Sequence, residues 1–181
     1  VNAIRQVRPN KINVVEFNKP SERNIELYNS KQVLHAKLFN DIYNGHNVFI
    51  AMNYGPKQVE ALKQLILHEI TDIKAEDIRT YHKKTPADLK KKHFADVNKY
   101  WKKARVVICS PTCGAGVDFN ELHFYSTYGY FNAAAGSVNY CMQMLGRVRN
   151  LYHNTEYIFI DKKKPHFTGI NSITYHDYVQ E

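Results

Sequence analysis

The chain has 181 residues, enough for one domain with a packed core. Its 25 lysines and arginines against 17 aspartates and glutamates leave a formal charge of +8, which favours polyanionic partners such as nucleic acid. No apolar run approaches the roughly 20 residues that span a bilayer, and no basic-then-apolar leader opens the chain. These features predict a soluble, intracellular protein with no membrane partner. Cys109, Cys113 and Cys141 form no CxxC spacing, so they read as reduced, mostly buried thiols with no disulfide framework or zinc site. Val1 in place of Met reads as the start of a processed chain or of a piece cut from something longer.

After a polar lead-in ending at Pro9, Ile12 to Phe17 reads as a strand closed by Asn18, Lys19 and Pro20. Ser30 is placed to cap a helix carrying Leu34, Leu38 and Ile42 at i, i+4, i+8, and Gly45 ends it. Val48 to Met52 is continuously apolar, the pattern of a central parallel strand covered on both faces. Pro56 suits the first turn of the next helix, where Val59, Leu62, Leu65 and Ile66 recur at helical spacing. Ile78 to Tyr81 is a short strand. Thr85 then reads as the cap of one very basic helix running through Lys90, Lys91 and Lys92 towards Trp101. Val106 to Cys109 is another strand, Leu122 to Phe131 contains a further one, Ser137 starts a helix through Gly146, and Tyr157 to Ile160 closes the sheet. Alternation of short strands with helices predicts an α/β fold with an open, mostly parallel sheet flanked by helices, in one domain spanning 1–181 with 1–11 as a linker.

Two segments carry candidate chemistry. In the helix from Ser137, Val138, Cys141, Leu145 and Val148 fall on one face, while Gln143 and Arg147, four apart, fall on the other. Arg147 and Arg149 could clamp a phosphate, because the guanidinium fork is always charged and binds oxyanions in bidentate fashion. The plainer reading is a basic helix C-terminus favoured by the helix dipole. The second segment, Ser110-Pro111-Thr112-Cys113-Gly114-Ala115-Gly116-Val117-Asp118, follows a strand, where open α/β sheets bind ligands. Gly114 and Gly116 allow close backbone approach to a phosphate, while Thr112 and Asp118 add a hydroxyl and a carboxylate. A structural turn is the alternative. GxGxxG is absent, as is GxxxxGK followed by Ser or Thr, so nothing in these residues can hold ATP-Mg unaided.

In order, these segments resemble the C-terminal, RecA-like lobe of superfamily 2 helicases, over roughly Val14 to Asp161. Val48-Phe49-Ile50-Ala51-Met52-Asn53 with the Pro56 helix looks like the fourth motif, Val106 to Thr112 with Gly114, Gly116, Val117 and Asp118 like the fifth, and Gln143-Met144-Leu145-Gly146-Arg147-Val148-Arg149 like the sixth. The run SPTCGAGVDF followed by an aromatic strand and QMLGRVRN is most similar to the replication-origin-binding helicases of large DNA viruses.

The resemblance implies that ATP and Mg²⁺ are bound mainly by an N-terminal RecA-like lobe, which is the partner of this one. Arg147, Arg149 and Gln143 take the catalytic roles, with an arginine finger on the transferring phosphoryl group and Gln143 near the γ-phosphate or linking the lobes. Gly116, Asp118 and Gly146 line the nucleotide side; Asn53, Thr112 and Gly114 hold the nucleic-acid backbone, DNA being favoured over RNA. For Asn53, ordinary helix N-capping is an equal alternative. If the protein is viral, it acts in the host cytoplasm or nucleus. The family's two arginines stand three apart, as in GRxGR; here they stand two apart, which in a continuous helix separates them by about 200°. Both can face one cleft only if the helix ends at Gly146 or Arg147; Arg149 is then the favoured finger and Arg147 a bridge to the fifth motif. Lys90, Lys91, Lys92, Lys99, Lys102 and Lys103 read as a solvated face, with an electrostatic track as the alternative; Trp101 and the tyrosines are candidates for stacking on bases. The rival functions are a non-catalytic nucleic-acid-binding or interaction module, and a nucleotide-binding enzyme of another family.

Overall fold

The computed structural model describes residues 23–113, 116–133 and 136–161. Six strands form one sheet: β1 (Asn24–Tyr28), β2 (Val48–Met52), β3 (Ile78–Tyr81), β4 (Val106–Cys109), β5 (Ser126–Asn132) and β6 (Thr155–Asp161). Their order is β1-β6-β5-β2-β4-β3, and every pairing is parallel. Five helices complete the fold: α1 (Lys31–Tyr43), α2 (Pro56–Glu69), α3 (Ala87–Ala95), α4 (Val97–Trp101) and α5 (Val138–Leu145). Among the described residues no helix is long and apolar enough to cross a membrane.

The central strands β2 and β4 are buried on both faces, and strand periodicity sorts their side chains between two cores. Val48, Ile50 and Met52 of β2, with Val106 and Ile108 of β4, meet Leu34, Leu38 and Ile42 of α1 and Val59, Leu62 and Ile66 of α2. Phe49, Ala51, Val107 and Cys109 point the other way, into a core closed by Trp101, Phe119, Phe124, Met144, Leu145 and Val148. Each fully buried aliphatic side chain contributes about 1.5–3 kcal/mol, so the three core residues of α1 outweigh that helix's weak intrinsic propensity. Its ends match expectation: the Ser30 hydroxyl accepts from the Val33 N–H, and Gly45, at φ +80°, turns the chain out of the helix.

Three expectations change, and one falls where nothing is described. The strand at Ile12–Phe17 lies outside the described residues, as does the linker at 1–11. The first described strand, Asn24–Tyr28, lies on an open edge, where Ile25 and Leu27 are 50% and 68% exposed. The basic helix is two helices. Asp96 breaks it, and its carboxylate accepts from the Lys99 N–H to start α4, whereas Thr85 spends its hydroxyl on the His82 N–H. Trp101 is fully buried, stacked 5.3 Å from Phe49, so it cannot stack on a base. On α5 the buried residues are Met144 and Leu145, while Val138 is 73% exposed at the rim of an apolar groove with Ile25, Leu27 and Ile160.

Candidate nucleotide and nucleic-acid interface

The sixth-motif helix starts at Ser137, whose hydroxyl accepts from the Tyr140 N–H, and stops at Gly146. Gly146 does not use a left-handed conformation; its φ is −65°, and an added Cβ would stand 3.2 Å from the Met142 carbonyl, so close packing explains the glycine. Beyond it Arg147 lies in a turn closed by the Val148 N–H to Leu145 carbonyl bond, and Val148 bridges Phe119 in parallel: Phe119 N–H donates to the Arg147 carbonyl at 2.7 Å and Arg149 N–H to the Phe119 carbonyl at 2.8 Å. Val148 is fully buried in the core, Arg147 before it is half-buried, and Arg149 after it is exposed. The helix thus ends before Arg147, which is the condition the two-residue arginine spacing set.

The two arginines differ in environment. Arg149 is 62% exposed, and its Nε donates to Asp118 Oδ1 at 2.7 Å; its two terminal nitrogens carry no hydrogen bond to the described residues. Arg147 is half-buried; its Nη1 donates to the Val117 carbonyl at 3.2 Å, while its buried Nε finds no partner among the described residues. Asp118 therefore pairs with Arg149 and not with Arg147. Gln143 is exposed and lines, with Asn139, Met142, Gly146 and Arg149, a shallow open depression of about 470 Å³. Gly116 adopts φ +95° in the loop that delivers Asp118. That conformation favours glycine on backbone grounds alone.

The carboxyl end of the sheet holds the second group. Ser110 N–H donates to the Tyr81 carbonyl at 2.9 Å, and the Ser110 and Thr112 hydroxyls lie 3.1 Å apart in the turn after β4. Asn53 is neither a helix cap nor a free donor: Gly55 caps α2, while the Asn53 amide donates to the Asn132 carbonyl at 2.9 Å and accepts from the Asn132 N–H at 2.7 Å. It clamps the ends of β2 and β5. Gly114 lies outside the described residues. Thr112 follows β4 and Asn53 follows β2, both at the carboxyl ends of neighbouring parallel strands, whereas Asp118 pairs with Arg149 of the sixth motif. Cys109 sits beneath the turn, and burial, then the neighbouring Cys113 thiol, push its thiol well above the usual range. It is a protonated core residue, not a nucleophile.

Sequence reasoning missed Arg23 and Glu156. Arg23 Nη1 pairs with the buried Glu156 carboxylate of β6 at 2.6 Å, and Nη2 donates to the Val148 and Arg149 carbonyls, the latter at 3.0 Å. This one guanidinium thus anchors the backbone that carries Arg149. The available signal was Glu156 itself, a carboxylate in the strand TEYIFID, whose first four residues are all buried.

Comparisons with known proteins agree with this architecture. The family profile described as "Origin of replication binding protein" matches residues 72–172, more than half of the chain. The chain belongs to that family of origin of replication binding proteins. It is 30% identical over 138 residues to a candidate helicase/primase complex protein of African swine fever virus, covering 76% of this chain and 13% of that protein. It is 29% identical over 138 residues to a candidate replication origin-binding protein of Acanthamoeba polyphaga mimivirus, covering 75% of this chain and 16% of that protein. The chain therefore spans less than a fifth of these relatives. Among solved structures, the DUF1998 helicase MrfA bound to DNA shares the fold, with a TM-score of 0.54 and 16% identity over 75% of this chain and 20% of that one.

Proposed function

We propose that this domain is the second ATPase lobe of an ATP-driven helicase or translocase acting in DNA replication. The observation that carries this reading is the joint of the fifth and sixth motifs. The Phe119–Val148 bridge and the Arg149–Asp118 ion pair hold a guanidinium fork over an open depression beside Gln143. An exposed guanidinium and amide suit the oxygens of a triphosphate. ATP and Mg²⁺, held mainly by a first lobe, would supply the phosphoryl group. Arg149 then stabilises the charge that spreads over it, Asp118 orients the fork, and Arg147 ties the sixth motif to the Val117 carbonyl. Thr112 and the neighbouring backbone of the loop grip one nucleic-acid strand through its phosphates. DNA is favoured over RNA because the relatives are named for replication origins and a helicase/primase complex.

The test is steady-state ATP hydrolysis by the full-length parent protein. Arg149→Ala lowers kcat by about 10³–10⁵ with little change in KM, and Arg149→Lys does not restore it. The 181-residue chain alone shows negligible turnover. Robust hydrolysis by this chain alone, or parent turnover indifferent to both Arg147→Ala and Arg149→Ala, refutes the proposal.

A further inference from the structure

The positive charge of this chain is concentrated. Residues 82–103 hold eight lysines and two aspartates, so this stretch carries a surplus of six of the chain's eight net positive charges. One of the aspartates, Asp96, is occupied in capping α4. Of the lysines, Lys102 pairs with Glu121 and Lys99 lies over the Tyr100 ring; Lys83, Lys84, Lys90, Lys91, Lys92 and Lys103 carry no ion pair with a described residue. Helix α3 fully buries only His93, so its packing gives no reason for three consecutive lysines on it.

The loop that leads into this helix is braced. The Thr85 hydroxyl accepts from the His82 N–H at 3.0 Å, His82 Nδ1 accepts from the Lys84 N–H at 3.1 Å, and His82 Nε2 donates to Glu60 at 2.9 Å. Its position follows from the sheet. β3 and β4 are parallel neighbours with Tyr81 opposite Cys109, and the Ser110 N–H to Tyr81 carbonyl bond continues the ladder past both strand ends. Lys83 and Lys84 therefore leave the sheet beside Pro111 and Thr112, at the same carboxyl edge.

We infer that the loop His82–Thr85 and helix α3 form a phosphate-binding track for a nucleic-acid backbone, continuous with the Thr112 turn. The inference rests on the nucleic-acid reading of that turn and extends it to residues outside the three motifs. Flexible ammonium groups on a braced loop grip phosphates as point charges and read no bases. Lys83, Lys84, Lys90 and Lys91 set the strength and salt dependence of binding.

The experiment is fluorescence anisotropy of a labelled oligothymidylate with the 181-residue chain across a salt series. Each lysine that contacts a phosphate of a single strand contributes about 0.7 to the slope of log K against log salt. Replacing Lys83, Lys84, Lys90 and Lys91 together by Ala reduces the slope by about 2–3 and weakens binding at low salt roughly tenfold or more. Replacing the same four by Arg retains both, and the far-UV spectrum of all variants matches the parent. If Thr112→Ala weakens binding while the lysine variant keeps the parental slope, the track is overturned and the reading of the turn survives. If the unaltered chain does not bind the oligonucleotide at low salt, both fall together.

Discussion

Arg23→Met isolates the device that anchors the sixth motif. In the folded chain the Arg23 and Glu156 side chains are 12% and 2% exposed, and Glu156 Oε2 has no hydrogen-bond partner among the described residues. Removing the guanidinium strands a carboxylate inside a parallel sheet and releases the Val148 and Arg149 carbonyls. Breaking a buried pair from one side costs about 3–5 kcal/mol, a large part of the roughly 5–15 kcal/mol that holds a domain together. Replacing both partners removes the stranded charge, so Arg23→Met with Glu156→Met regains most of the loss and lies within about 1–2 kcal/mol of the parent. Urea unfolding followed by far-UV circular dichroism, on the parent, both single variants and the double, gives the coupling energy. The expected value is about 2 kcal/mol or more in favour of the pair. Additive single effects, or an Arg23→Met variant within about 0.5 kcal/mol of the parent, refute the reasoning.

Two further outcomes follow from the core and the strand ends. His35 packs 5.3 Å from Tyr130 with Nε2 buried and unpartnered among the described residues; burial, then the charge of Lys31, pushes its pKa down to about 4. The folded state thus binds fewer protons than the unfolded chain between pH 4 and the usual histidine value near 6.5. Stability present above that value is lost as pH falls through this window, by about 1–3 kcal/mol for a half-buried ring. His35→Gln flattens the urea midpoint between pH 7 and 4.5 relative to the parent, and identical pH profiles would contradict this. Asn53→Ala removes two hydrogen bonds across the ends of β2 and β5 and costs about 1–3 kcal/mol, while Asn53→Asp, which sets a carboxylate against the Asn132 carbonyl, costs more. Thermal unfolding of both variants checks the order.

The α/β architecture was legible wherever a local pattern carried it. Val48–Met52 and Val106–Cys109 are strands at the predicted bounds, because parallel strands buried on both faces are continuous apolar runs, and Ile78–Tyr81, an edge strand buried only at its two ends, also keeps its predicted bounds. The caps at Ser30 and Ser137 and the proline that opens α2 were equally local signals. β1 was not legible, since an edge strand with two exposed apolar residues among polar ones has no burial to reveal it. Asp96 could not be recognised as a helix break, because its carboxylate competes with the helix through one cap hydrogen bond that no periodicity announces.

The sequence by itself determined the alternation of strands and helices, the ordered set of three motifs, and the condition that the sixth-motif helix must end before its arginines could share a face. Only the tertiary structure decided how that condition is met. The helix stops and the backbone between Arg147 and Arg149 is held because Val148 pairs with Phe119, which lies 29 residues earlier on a different segment. Asp118 serves Arg149, Trp101 is closed into the core, and Arg23 reaches across more than a hundred residues to hold the same backbone. Such contacts join positions far apart in the chain, and their free energies depend on burial and geometry that appear only once both cores have closed around the sheet.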